Sequence, residues 1–187
     1  PAKKSLEIFK KNNIKSILEL GAGLGRDTIY FAQNSIRVHA LDYSKSAIKT
    51  INEKSKKLGL EEFIETKIFD VRKTFKFDDN IFDGCYSHML YCMALTNNDI
   101  KNLNKEIHRI IKPKGINIYT VRNILDGDYK KGTHRGEDLY EMNGFIINYF
   151  SEQKIKDNLE GFNNLSTENF EEGNFPRKLY YVVNQKK

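Results

Sequence analysis

Glu19-Leu20-Gly21-Ala22-Gly23-Leu24-Gly25-Arg26 is the stretch that decides the fold of this chain. The apolar run Lys15–Leu20 (KSILEL) ahead of it has the length of a buried strand, and Arg26–Asn34 behind it carries Ile29, Tyr30 and Phe31 at helical spacing. Three glycines between a strand and a helix let the backbone pass close to a ligand, and the first turn of the helix offers N–H groups without partners. A dinucleotide fingerprint, G-x-G-x-x-G, requires a glycine at position 26. Arg26 stands there instead, so the register is G-x-G-x-G. That disfavours NAD and FAD and favours a ligand without a pyrophosphate. No G-K-[ST] follows the loop, which excludes a P-loop.

Outward from the loop, strands and helices alternate. Arg37–Leu41 reads as a second strand. Ser44 caps a helix that runs to about Leu58, with Ala47, Ile48 and Ile51 on one face and Gly59 as its stop. Phe63–Phe69 and Ile81–Ser87 read as the third and fourth strands. Asn97–Lys112 is a helix capped by Asn97 or Asn98, striped by Leu103, Ile107, Ile110 and Ile111, and ended by Pro113 and Gly115. Ile116–Val121 is a fifth strand. This alternation predicts an α/β fold, a three-layer sandwich with helices on both faces of a parallel sheet. Residues 1–187 read as one domain, in which Asn123–Gly144 is a polar loop without periodicity that serves as a lid or substrate loop. Phe145–Phe150 is apolar, Ser151 caps a short helix to Leu159, and Phe162–Glu171 and Arg177–Asn184 pair as a hairpin around Gly173–Pro176.

The 187 residues are 39% hydrophobic and 30% charged, which excludes disorder and leaves enough chain for a core without staples. Two cysteines, Cys85 and Cys92, exclude a disulfide scaffold and fit a reducing, cytoplasmic setting. No apolar run is long enough to span a bilayer, and no basic-then-apolar signal opens the chain. The chain starts at Pro1 rather than Met, which leaves room for a segment ahead of it. The net charge is +6, but 24 of the 31 basic residues are Lys, scattered among 19 Asn. Nucleic-acid sites cluster Arg with aromatics, so nucleic acid is the disfavoured partner.

Asp42 closes the second strand, where a carboxylate can accept both hydroxyls of a ribose; alone, it would more often be a helix cap, and Ser44 already supplies one. Asp70 ends the third strand, where it can reach an adenine amino group or simply be a solvated loop acid. ELGAGLGR, LDYS, FDV, FDGCYSHML and IIKPKG-INIYTVR, in that order over residues 14–122, resemble the class I S-adenosylmethionine-dependent methyltransferases. The resemblance implies a Rossmann-like, mostly parallel sheet of seven strands whose last strand is antiparallel, with S-adenosyl-L-methionine as cofactor. It implies that Glu19, Gly21, Gly23 and Gly25 lie at the methionine part of that cofactor and Arg26 near its carboxylate. It further implies Asp42 on the ribose, Tyr43 over the adenine, Asp70 and Val71 at the adenine edge, and Ser87 and His88 between cofactor and substrate. Tyr86-Ser87-His88 stands where amide-methylating enzymes carry an N-P-P-Y type motif, so that signature is absent. The run Gly132-Thr133-His134-Arg135-Gly136-Glu137-Asp138 resembles, loosely, the tellurite-resistance methyltransferases.

Methyl transfer from a sulfonium is an in-line displacement, so the protein positions the acceptor, excludes water and, for an OH or NH, supplies a base. His88, His134 and Arg135 are the candidate catalytic residues; packing or a solvated loop is the plainer reading of each. His39 and His108 read as structural. Arg122 and Arg177 either bind an anionic acceptor or form surface ion pairs. Tyr91, Tyr129 and Tyr140 either wall the pocket or pack. His134, Glu137 and Asp138 span too little loop to make a metal site, and Cys85 and Cys92 read as buried thiols, so no metal is expected. No recognition module accompanies the motifs within this stretch, which points to a small-molecule acceptor. The rivals are an RNA (tRNA) methyltransferase and a cofactor-binding subunit without turnover.

Overall fold

β1 (Ser16–Leu20) lies at the centre of a parallel array, between β2 (Arg37–Asp42) and β4 (Phe82–His88). That position buries it on both faces, which is why Ile17, Leu18, Glu19 and Leu20 read as an unbroken run rather than an alternation. β3 (Ile64–Ile68) pairs with β2 and β5 (Ile111–Arg122) with β4, all parallel. β10 (Arg177–Lys186) runs antiparallel between β5 and β9 (Phe162–Glu172). The order β3-β2-β1-β4-β5-β10-β9 is the predicted seven-stranded sheet with its last strand antiparallel. The structure, a computed structural model, describes residues 1–173 and 177–187. The turn residues 174–176 of the predicted hairpin lie outside the described residues.

Helices cover both faces. α1 (Ala2–Lys11), α2 (Arg26–Gln33) and α3 (Lys45–Leu58) bring Phe9, Phe31, Ile48 and Ile51 against Ile17, Val38 and Tyr86. α4 (Asn97–Ile110) and α5 (Glu152–Asp157) bring Ile100, Ile107 and Ile155 against Leu18, Phe82 and Tyr119 on the other face. Each such large side chain, fully buried, contributes roughly 1.5–3 kcal/mol. Strand order reverses between β1 and β4, and in an open parallel sheet the ligand crevice forms at that reversal.

The structure departs from the sequence reading in four places. α1, in a lysine-rich stretch with no side-chain cap at Pro1, has no counterpart in that reading. α4 is capped by Thr96, not Asn97 or Asn98: its hydroxyl accepts from the Asp99 amide while Asp99 accepts from the Thr96 amide, a reciprocal box. β5 begins at Ile111, directly after α4 and ahead of Pro113, rather than at Ile116. Asn123–Gly144 is not an irregular loop throughout. β6 (Thr133–His134) and β7 (Leu139–Met142) form a small antiparallel sheet with β8 (Phe145–Asn148). Strands of two to four residues are too short to show a period in sequence.

Candidate active site

The glycine loop leaves β1 with positive φ at all three glycines, and two of them show why. A Cβ on Gly25 would come within 2.7 Å of Ile51 Cγ1, so the residue is small because α3 packs on it. A Cβ on Gly23 would meet no protein atom within 4 Å, so the space beside it is open. The Gly23 amide donates to Asp42 Oδ2 at 2.8 Å, and the Ser44 amide donates to Oδ1 at 2.9 Å. Each Asp42 oxygen keeps a second lone pair. Asp42, Gly21 and Tyr43 line a cavity of about 250 Å³, closed on its far side by Phe69, Asp70, Val71 and Arg72 after β3 and by Leu90 and Met93–Leu95 after β4. Tyr43 is 79% exposed at its rim.

Of the expected cofactor residues, Gly21, Asp42, Tyr43, Asp70 and Val71 thus meet around one cavity. Asp70 is engaged by Arg72, which chelates both its oxygens and holds the carboxyl below its usual range. Glu19 is 3% exposed beneath the loop, where it accepts the Thr28 hydroxyl at 2.6 Å and ties β1 to α2. Burial pushes its carboxyl up to about 8, against the hydrogen bond from Thr28. Ser87, opposite Leu20 in the β1–β4 ladder, is fully buried, and among the described residues its Oγ has no partner. The Arg26 guanidinium turns to Asp27, with Nε 2.7 Å from Oδ1, and lines a separate recess rather than this cavity. Phe69, Leu90 and Met93–Leu95 are wall residues that sequence reasoning missed; their signal was only their place after strand ends.

These features fit S-adenosylmethionine. Asp42 offers acceptors for a ribose diol, Phe69, Val71, Leu90 and Leu95 offer apolar walls for a flat base, and the space at Gly23 admits the chain of a thioether or sulfonium.

The sequence-selected catalytic candidates separate. His88 ends β4 with its Nδ1 2.8 Å from Thr120 Oγ1 and its Nε2 3.1 Å from Glu172 Oε2. Burial pushes its pKa down, opposed by Glu172 and Asp27. Thr120 lies within the INIYTVR motif without a role assigned to it, and Glu172 lies in no motif; Thr120 meets His88 through the β4–β5 pairing and Glu172 from the end of β9. His134 and Arg135 lie in the small sheet, exposed and satisfied locally: His134 Nε2 is 2.8 Å from the Glu137 carbonyl oxygen, and Arg135 Nε donates to Glu141 at 2.6 Å. Neither lines a cavity with the cofactor residues.

Arg122 is a correction. It is not open to an anionic acceptor: it is 6% exposed, pairs with Asp126 and Asp128, and lies over the Tyr149 ring. Chain reversal directly after β5 places both acids under the guanidinium. Arg177 is exposed opposite Glu172 in the β9–β10 ladder. Tyr91 is buried and donates to Asn104, and Tyr129, Tyr140 and Tyr149 pack on one another in the small sheet. Among the described residues no three His, Cys, Asp or Glu side chains cluster as metal ligands, and no helix is long and apolar enough to cross a membrane.

The sequence has no significant match among curated proteins. Solved structures share the fold. An S-adenosylmethionine-dependent methyltransferase of Methanosarcina mazei is 19% identical, covers 96% of each chain and superposes with a TM-score of 0.79. The 1,6-didemethyltoxoflavin N1-methyltransferase of Burkholderia thailandensis is 17% identical over 100% of this chain and 78% of its own, with a TM-score of 0.78. TehB of Haemophilus influenzae is 18% identical over 99% of this chain and 62% of its own, with a TM-score of 0.74. A family model described as a methyltransferase domain matches residues 17–115, from β1 through the start of β5 and so across every element that frames the cavity. The chain belongs to that family, the class I S-adenosylmethionine-dependent methyltransferases.

Proposed function

We propose that this protein methylates a small-molecule acceptor with S-adenosylmethionine, whose sulfonium supplies an activated methyl group. The observation that carries the small-molecule reading is the shape of the site. It consists of two recesses at the carboxyl edge of the sheet, one bearing Asp42 and the other bearing Glu172. The toxoflavin-precursor methyltransferase that shares the fold holds its small acceptor together with S-adenosylhomocysteine. In this chain Asp42 and the loop amides hold the cofactor, Leu90 and Leu95 keep water from it, and His88 with Glu172 handles a proton at the acceptor end.

We read residues 1–187 as one domain. Asn148 ties the small sheet of 133–148 to the carbonyls of Cys92 and Leu95, beside the cofactor wall, which supports reading it as a lid. The free thiols of Cys85 and Cys92, both buried, support a reducing, cytoplasmic setting. The test is a metabolite extract incubated with methyl-labelled cofactor, run beside total RNA. Label in a low-mass product supports the proposal; label in RNA, or in neither pool, overturns it.

A further inference from the structure

We propose that Glu172, set beside His88, takes the proton from an N–H or O–H methyl acceptor seated in the recess between the start of α1, the first turns of α2 and the end of β9. The inference rests on the methyltransferase reading and adds to it the acceptor subsite, the base and the class of acceptor.

The recess has a volume of about 440 Å³ and is lined by Arg26, Asp27, Ile29, Tyr30, Gln33 and Glu172. Sequence neighbours link it to the cofactor cavity: Arg26 follows Gly25 of the loop, and His88, whose Nε2 is 3.1 Å from Glu172 Oε2, precedes Leu90 of the cofactor wall by two residues.

The hydrogen bonds settle which group is the base. The Met89 amide donates to Thr120 Oγ1 at 3.0 Å. Thr120 is fully buried, and among the described residues its hydroxyl hydrogen has only His88 Nδ1 as acceptor, at 2.8 Å. An N–H at Nδ1 would orphan that hydrogen, at a cost of about 1–3 kcal/mol. His88 is therefore the neutral tautomer with its hydrogen on Nε2, which lies 3.1 Å from Glu172 Oε2. Nδ1 accepts from Thr120 and Nε2 carries the hydrogen, so the ring has no free lone pair and is not the base; it stands against a carboxylate. Asp27 is a poorer base: it is 6% exposed, Oδ1 accepts from Arg26 and Oδ2 from the Tyr86 hydroxyl at 2.7 Å. Among the described residues Glu172 Oε1 accepts no hydrogen bond, which leaves Glu172 as the open carboxylate of the recess.

In the step, the acceptor heteroatom uses its electron pair to form the bond to the methyl carbon. The methyl–sulfur bond breaks with its pair remaining on sulfur, and the acceptor's proton passes to Glu172. An acceptor without a proton to lose has no use for this arrangement, so the class is an amine, a ring N–H or a hydroxyl.

The test pairs Glu172→Gln with a spectroscopic readout. Gln keeps the size of the side chain and an acceptor for His88 but cannot take a proton. With methyl-labelled cofactor and a metabolite extract, label transfer is expected to fall about 10²- to 10⁴-fold. Calorimetric affinity for S-adenosylhomocysteine should stay within about threefold, because the cofactor contacts remain. If wild type labels a product and Glu172→Gln keeps its rate, the base assignment is overturned while the methyltransferase reading stands. If wild type labels no small molecule, both fall. Independently of turnover, ¹⁵N spectra of the wild-type protein should show His88 as a neutral ring protonated at Nε2. A cationic ring or an Nδ1–H tautomer overturns the assignment.

Discussion

The Gly23 amide donates to the carboxylate of Asp42 over 2.8 Å, so the glycine loop and the tip of β2 form one unit before any ligand arrives. Asp42 therefore fixes the loop, and in the proposed site its remaining lone pairs serve a ribose. Asp42→Ala removes both. Each charge-assisted hydrogen bond is worth about 1.5–3 kcal/mol, so affinity for S-adenosylhomocysteine should fall at least about tenfold in a calorimetric titration. NAD should bind neither protein; normal affinity in the variant or a nicotinamide complex would refute the assignment.

Gly23 has φ +54° and open space where a Cβ would stand. Gly23→Val places a branched side chain in that space at a left-handed backbone position, which costs roughly 1–2 kcal/mol. The protein should stay folded by circular dichroism and lose cofactor binding. Unchanged affinity would mean that the space beside Gly23 is not the cofactor's.

Glu19 makes stability depend on pH. Its folded carboxyl is pushed up to about 8, chiefly by burial, from an ordinary value of 4.5. Between those values the unfolded chain releases a proton that the fold retains. Its contribution is thus full below pH 4.5 and lost as pH rises to about 8. The unfolding free energy from urea titrations should fall from pH 5 to pH 8 by an amount on the order of a few kcal/mol, and Glu19→Gln should flatten that slope. Equal slopes in the two proteins would place the titration elsewhere.

Arg122 serves the fold rather than an acceptor. Arg122→Ala leaves Asp126, 5% exposed, without its cation. Stripping one partner from a buried pair costs about 3–5 kcal/mol. The urea midpoint should drop accordingly while cofactor affinity holds. A large loss of affinity with unchanged stability would restore Arg122 to the binding site.

The small sheet is fastened to the cofactor wall. The Asn148 amide donates to the Cys92 carbonyl at 2.9 Å, and the Asn97 amide donates to Glu137 at 2.8 Å. Adding S-adenosylhomocysteine should slow amide exchange in residues 89–97 and 133–148 more than in α4, as read by mass spectrometry. Exchange that ignores the ligand would reduce the segment to a surface excursion.

The sequence by itself determined what depends on neighbours along the chain. The strand–glycine–helix register, the caps Ser44 and Ser151 and the apolar runs of the central strands each follow from local sterics, capping or burial on both faces. Asp42 was legible for the same reason, as the last residue of a strand whose partner loop stood upstream. What only the tertiary structure decided is carried by long-range pairing. The β4–β5 ladder brings Thr120 to His88, and the far end of β9 brings Glu172 to its other nitrogen. Whether Arg122 faces a ligand or two aspartates depends on how the chain turns after β5. The small sheet depends on cross-strand bonds between segments too short to show a period. These are properties of register and closure between distant segments, and no residue type announces them in one dimension.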